Sequence, residues 1–364
     1  MKKYKYILYI LFIMLLSSCD TTSNLVEPEI NQQRTSADYI AQIESMGFNI
    51  DGIEEGDGFF LIEGCIKLTE NYLDEEIKHE LAKTEQRKTY YLANWSNVNS
   101  IKIKIDSSMP TSGVDNWRPE ISQAISAWNA ISGSRINLQL VTSGQHITIR
   151  SDGGSLSYNV IASASFPNSA GAVGPTIDVN LDYLYNKTVP SAQKKWNIAH
   201  EIGHCLGFWH TQTSHGNSVG QNNYGGFTPQ TLTTDNSSVM LAWSAESLGS
   251  TITSFSSNDQ IAAKVLYPTS LTGTINNVTH QGYYVDGAYE ERGTAYFSHN
   301  GLYSFAELYV GSGGNWYRLG GSNPNGSSSS SWVSADPFAS DDRPIKIRLY
   351  NTRKDKWWDT NTYY

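Results

Sequence analysis

The stretch HEIGHCLGFWH, residues 200–210, constrains this chain more than any other part of it. His200 and His204 stand four residues apart, so on a helix both imidazoles project from one face toward a single point. Glu201 lies beside them, offset around the helix. Two neutral imidazole nitrogens placed this way can bind a zinc ion, while the neighbouring carboxylate reaches a water rather than the metal. Gly207 has no Cβ, so it can take a positive φ, end the helix and turn the chain back until His210 supplies a third ligand. Three protein ligands leave one tetrahedral position open, the mark of catalytic rather than structural zinc. The implied chemistry is hydrolysis, with Glu201 taking a proton from water and passing it to the leaving amine.

The flanking sequence supplies a scaffold. PSAQKKWNIAHEIGHCL reads as the helix that carries the motif, with Ser191 as N-cap candidate and Gly207 as C-cap. Upstream, SIKIKID alternates as a half-buried strand. DNWRPEISQAISAWNAIS places Trp117, Ile121, Ala124, Trp128 and Ile131 on one helical face, with Pro119 in its first turn. INLQLV, ITIR and GPTIDVNLDYLY read as further strands. Downstream, residues 211–239 have little periodicity and read as loop.

HEIGHCLGFWH is similar to the HExxHxxGxxH signature of the metzincin zinc peptidases, and its HEIGH core together with FFLIEGCI resembles the bacterial HEIGH-type metallopeptidases. The resemblance covers roughly residues 36–268. It implies an α+β catalytic domain, a small twisted sheet with two long helices around a zinc cleft. His200, His204 and His210 would be the metal ligands, Glu201 the catalytic base and acid, and protein or peptide the substrate. It also implies a Met-turn, for which SSVM offers Met240, and a closing helix in FSSNDQIAAKVLYP. Ala242 stands where some metzincins carry a tyrosine, so no such role carries over. Family topology would make GAVGPTIDVN the edge strand above the cleft, to which substrate adds as an extended strand.

The N-terminus places Lys2, Lys3 and Lys5 before an apolar run from Ile7 to Leu16, too short to span a bilayer comfortably and read as a signal peptide. LSSC resembles a bacterial lipobox, with Cys19 as the lipidated residue. The expected location is therefore export as an outer-membrane or cell-surface lipoprotein. Residues 20–88 read as a polar tether and a pro-segment, with a helix in SADYIAQIESMGF capped by Ser36 and a strand in GFFLIEGCIKL. Arg87-Lys88 suits a trypsin-like processing enzyme, and a cut there would release the rest of the chain from its anchor. Cys65 and Cys205 leave three readings open: a Cys65 thiolate on the zinc, as in the pro-segments of some metzincins, a disulfide, or two buried thiols.

A net charge of −9 gives no basic face for nucleic acid. Residues 271–364 read as a β-rich, sandwich-like domain after a catalytic domain at 89–270. Its aromatics, Tyr283, Tyr284, Trp316, Tyr317, Trp332, Trp357 and Trp358, are expected mainly in the sandwich core; exposed rings would instead stack on sugars. The alternative to a zinc endopeptidase is thus a surface adhesion or glycan-binding lipoprotein. Asp152, Asp178, Asp182 and Asp235 could serve a calcium ion but read as turn residues, and His79, His146, His215, His280 and His299 as non-ligands.

Overall fold

The alternation in SIKIKID folds as read: β4 (Ile101–Ile105) buries Ile101 and Ile103 and leaves Lys102 and Lys104 half-buried. It belongs to a computed structural model that describes residues 34–45, 48, 50–77, 91–210, 220–221, 227–228, 235–241, 245–285, 288–299, 303, 305–322, 331–335, 343–351 and 353–363. Cys19, Arg87-Lys88, His79, His215, Ala242 and the serine-rich 323–330 lie outside these, as does most of the loop 211–239. Among the described residues no helix is long and apolar enough to cross a membrane.

The first elements are α1 (Ser36–Ser45), β1 (Glu54–Gly56), β2 (Phe59–Ile62), β3 (Ile66–Thr69) and α2 (Glu70–Ile77). GFFLIEGCIKL is therefore two strands rather than one. Glu63 at φ 50 and Gly64 at φ 78 turn the chain between them. All four residues of β2 are buried, so the stretch carries no alternation to count.

After β4 come α3 (Arg118–Asn129), β5 (Leu138–Leu140), β6 (Ile147–Ser151), β7 (Ala162–Ser165), β8 (Thr176–Val179) and α4 (Ser191–Leu206). The sheet runs β1-β2-β3-β7-β8-β6-β4-β5. Pairing is parallel for β3/β7, β6/β8, β4/β6 and β4/β5, and antiparallel for β7/β8. One sequence expectation needs correction here. The strand in GPTIDVN is interior, between β6 and β7, and the strand beyond it toward the cleft is ASAS, which small residues kept below the threshold of any apolar pattern. The edge of ASAS is taken by β3, where Ile66 pairs with Ala164 and Lys67 with Ser165.

The helical face read in α3 is buried throughout: Trp117, Ile121, Ala124, Trp128 and Ile131 share one core with Ile103, Ile149, Ile177 and Val179 of the sheet and Ile198 and Ile202 of α4. Trp128 Nε1 donates to the Ala199 carbonyl at 2.9 Å, tying α3 to the motif helix. Short strands β9 (Gly220–Gln221) and β10 (Phe227–Thr228) and then α5 (Ser257–Leu266) complete this part. Ser256 and Asp259 form a reciprocal capping box on α5.

The β-rich C-terminal part pairs a sheet of β11 (Gly273–Val285), β12 (Ala288–His299) and β15 (Ser331–Ala335) with one of β14 (Asn315–Ser322), β13 (Phe305–Ser312), β16 (Ile345–Tyr350) and β17 (Trp357–Asp359). Its core is largely aliphatic, with Leu308, Val310, Val333, Ile347 and Leu349 around Phe297 and Tyr303. Several of the aromatics expected there point outward instead, with Trp316 37% exposed and Trp357 45%, while Trp358 packs against the core. In β16 the isoleucines and leucine take every inward position, so Lys346 and Arg348 face out and lie over the Trp316 and Trp357 rings at 4.4 and 3.6 Å. This part docks on the chain around Leu92, Trp95 and Ser169. Arg353 donates to the Leu92 and Ser169 carbonyls, Trp95 N donates to Asp355, and Trp95 packs edge-on against Trp358 at 5.4 Å.

Candidate metal centre

Helix α4 carries His200 and His204 on one face, and both are buried. Gly207 ends the helix at φ 97, and Phe208 N donates back to the Gly203 carbonyl at 2.9 Å. The chain reverses and brings His210 round to its two predecessors. The three Nε2 atoms lie 3.0, 3.1 and 3.2 Å apart.

The other ring nitrogens decide what those Nε2 atoms are. His200 Nδ1 lies 2.6 Å from the Val239 carbonyl, His204 Nδ1 2.9 Å from the Phe208 carbonyl, and His210 Nδ1 2.8 Å from Glu63 Oε2. Carbonyls only accept, so Nδ1 of His200 and of His204 carries the proton and Nε2 of each neutral ring presents a lone pair; a carboxylate on His210 Nδ1 suits the same tautomer there. Three lone pairs converging in a buried space repel unless a cation lies among them. Ligand atoms on a tetrahedron about 2.0–2.1 Å from zinc are about 3.3 Å apart, close to the spacing found.

A fourth ligand atom completes the set. Cys65 Sγ lies 3.4, 3.5 and 3.2 Å from the Nε2 atoms of His200, His204 and His210. Among the described residues this is the one grouping of three or more side chains of metal-binding type, its ligand atoms all within 4.8 Å of one another. The disulfide reading of the two cysteines is thereby corrected: both are free, and Cys205 sits on the sheet side of α4, its thiol 3.7 Å from the Thr176 carbonyl. Sequence reasoning raised Cys65 without deciding on it, and missed Glu63 altogether.

Electrostatics follow from burial. His200 is pushed down to about 3 by burial, with His210 adding to the effect and the Val239 carbonyl opposing it. His204 is lowered by burial and then by its two histidine neighbours. His200 and His204 are thus held neutral, the form that binds metal. Burial raises Cys65, and the carboxylates of Glu201 and Glu63 raise it further. Glu201, 1% exposed, is likewise raised by burial. Its Oε2 has no hydrogen-bond partner among the described residues, and it lines a cavity of about 180 Å³ with His200, Asn197, Tyr183, Glu63 and Cys65.

Met240 lies under the helix: a Cβ at Gly203 would fall 2.4 Å from its sulfur. The turn holding Met240 is fixed from α5. Asp259 accepts from Ser238 Oγ and Val239 N at 2.5 and 2.9 Å, and Val239 in turn faces His200. Three of the four aspartates considered for calcium belong to other networks. Asp178 pairs with Lys67 and Arg150, Asp235 accepts from Ser256, and Asp152 accepts from Leu156 N.

No family model and no curated protein matches the chain. Among solved structures it resembles one of myroilysin, at TM-score 0.31 and 14% identity over 50% of this chain and 83% of that one. It also resembles one of wild-type OgpA from Akkermansia muciniphila, at TM-score 0.20 and 8% identity over 77% of this chain and 93% of that one. Neither superposition is close enough to carry fold or activity across.

Proposed function

We propose that this chain is a zinc-dependent endopeptidase, held latent by its own residue Cys65. The observation that carries this reading is the convergence of three Nε2 lone pairs beside a buried glutamate with an unpartnered oxygen. His200, His204 and His210 would hold the ion. Zinc there supplies a Lewis acid that polarises a scissile carbonyl and an acidified water. Glu201, one residue beyond the first ligand, takes the proton of the attacking water and returns it to the leaving nitrogen.

Cys65 Sγ stands beside the Nε2 atoms that would hold the ion and would exclude an attacking water, and β3 takes the sheet edge where an extended substrate would add. Both belong to the segment before Arg87-Lys88, so its departure frees the ligand position and the edge together. With Cys19 lipidated, the same event parts the enzyme from its membrane anchor.

Hydrolysis of a casein or gelatin substrate tests the reading on Cys65→Ser with and without Glu201→Gln. Once the N-terminal segment has been cut and dissociated, the single variant should cleave, and the double variant should be at least about 100-fold slower with its zinc retained. Equal cleavage by both would remove Glu201 from the chemistry.

A further inference from the structure

His210 differs from its two partners in what holds it. His200 and His204 are fixed on α4, and their Nδ1 atoms meet backbone carbonyls of the same region, Val239 and Phe208. His210 follows the end of the helix, and its Nδ1 meets the Glu63 carboxylate at 2.8 Å, with side chains 0% and 2% exposed. Glu63 comes from the turn between β2 and β3, two residues before Cys65.

Glu63 sits in a costly way. At φ 50 it occupies the left-handed region that residues with a Cβ enter only when their surroundings demand it. Its second oxygen, Oε1, is buried with no hydrogen-bond partner among the described residues. A buried carboxylate half unsatisfied on a strained backbone is poor packing, and a turn serving only to join β2 to β3 has no use for it. Its aim at a ligand imidazole gives it one: a carboxylate on Nδ1–H fixes the tautomer and ring orientation and makes Nε2 more basic.

We infer that Glu63 is the positioning residue for His210, so that the segment which closes the metal site also builds it. This rests on the metal-site reading above. One turn then supplies the fourth ligand through Cys65 and the orientation of the third through Glu63. Metal uptake belongs to the uncut chain, and departure of the segment removes both supports from the ion at once.

The test uses the full chain prepared metal-free, with zinc affinity read by competition against a chromophoric chelator and cobalt spectra as a second readout. Glu63→Gln keeps size and shape but lets its amide donate to Nδ1. It should bind zinc about 10- to 100-fold more weakly than the parent, keep the thiolate-to-cobalt band of Cys65, and show altered cobalt ligand-field bands. Glu63→Asp, which restores the charge, should recover part of the affinity. Cys65→Ser should lose the thiolate band but keep the parent's ligand-field response to Glu63→Gln. If Glu63→Gln binds zinc as tightly as the parent while His210→Ala does not, Glu63 is not a positioning residue, and the metal site stands without it. If the folded parent takes up no metal, the metal reading falls and this inference falls with it.

Discussion

At the scale of single residues the site is a set of close approaches that leave little room for change. Gly203 is required because Met240 fills the place of its Cβ, with Sδ at 2.4 Å and Cε at 2.9 Å from it. Gly203→Ala should therefore cost about 1–3 kcal/mol in overpacking, read as a lower melting temperature, and should weaken zinc binding because the histidines flank the displaced turn. An unchanged melt would mean Met240 can move aside freely. The three histidines and Glu201 were legible because their geometry is local: helical spacing and one glycine suffice. Cys65 and Glu63 reach the same point from 135 and 147 positions away, and no periodicity reports such a contact. The one local signal was a charge and a thiol around a glycine, EGC, inside an otherwise apolar run.

Among elements, the motif helix depends on α5 through the turn between them. Asp259 caps α5 and also holds Ser238 and Val239, so one carboxylate sets a helix end and the carbonyl that orients His200. Loss of the cap in Asp259→Ala should cost about 0.5–2 kcal/mol. Zinc affinity should fall as well, which a simple cap loss would not produce; chelator competition separates the two. In the C-terminal sheet, burial pushes Asp359 up, but bonds from Arg348 and Lys346 outweigh it and leave the carboxyl below its ordinary value. A carboxylate lowered on folding contributes stability above its unfolded pKa, and that contribution is lost as pH falls through the folded one. Melts followed by tryptophan fluorescence should weaken as pH drops below about 4, and less so in Asp359→Asn. A parent melt flat across that range would count against the pairing. Helices α3 and α4 could be read from the sequence because each carries a face or a cap, and α5 came only from the family resemblance; ASAS could not, since alanine and serine bury without any pattern.

Across the whole molecule, the N-terminal segment is woven into the eight-stranded sheet rather than laid upon it. It contributes β1, β2 and β3 to the eight strands, Lys67 to the buried Asp178, and Phe48 to a stack on Trp209 at 3.9 Å. Cutting at Arg87-Lys88 should thus not separate the parts by itself. The fragment should co-elute with the rest of the chain on size exclusion until mild denaturant loosens the sheet, and the proposed activity should follow dissociation rather than cleavage. Immediate separation after the cut would show that these contacts hold little. A small sheet with a long helix ahead of the motif was legible from the order of patterns along the chain, and the α+β architecture came from the family resemblance. The β3–β7 pairing was not, because nothing local in either strand names its partner.

The most direct test of the four-ligand site is X-ray absorption on the zinc-loaded, uncut chain. The account predicts one sulfur at about 2.3 Å and three imidazole nitrogens at about 2.0–2.1 Å around each zinc, with the sulfur gone in Cys65→Ser. A first shell without sulfur in the parent, or one with fewer than three imidazoles, would contradict it.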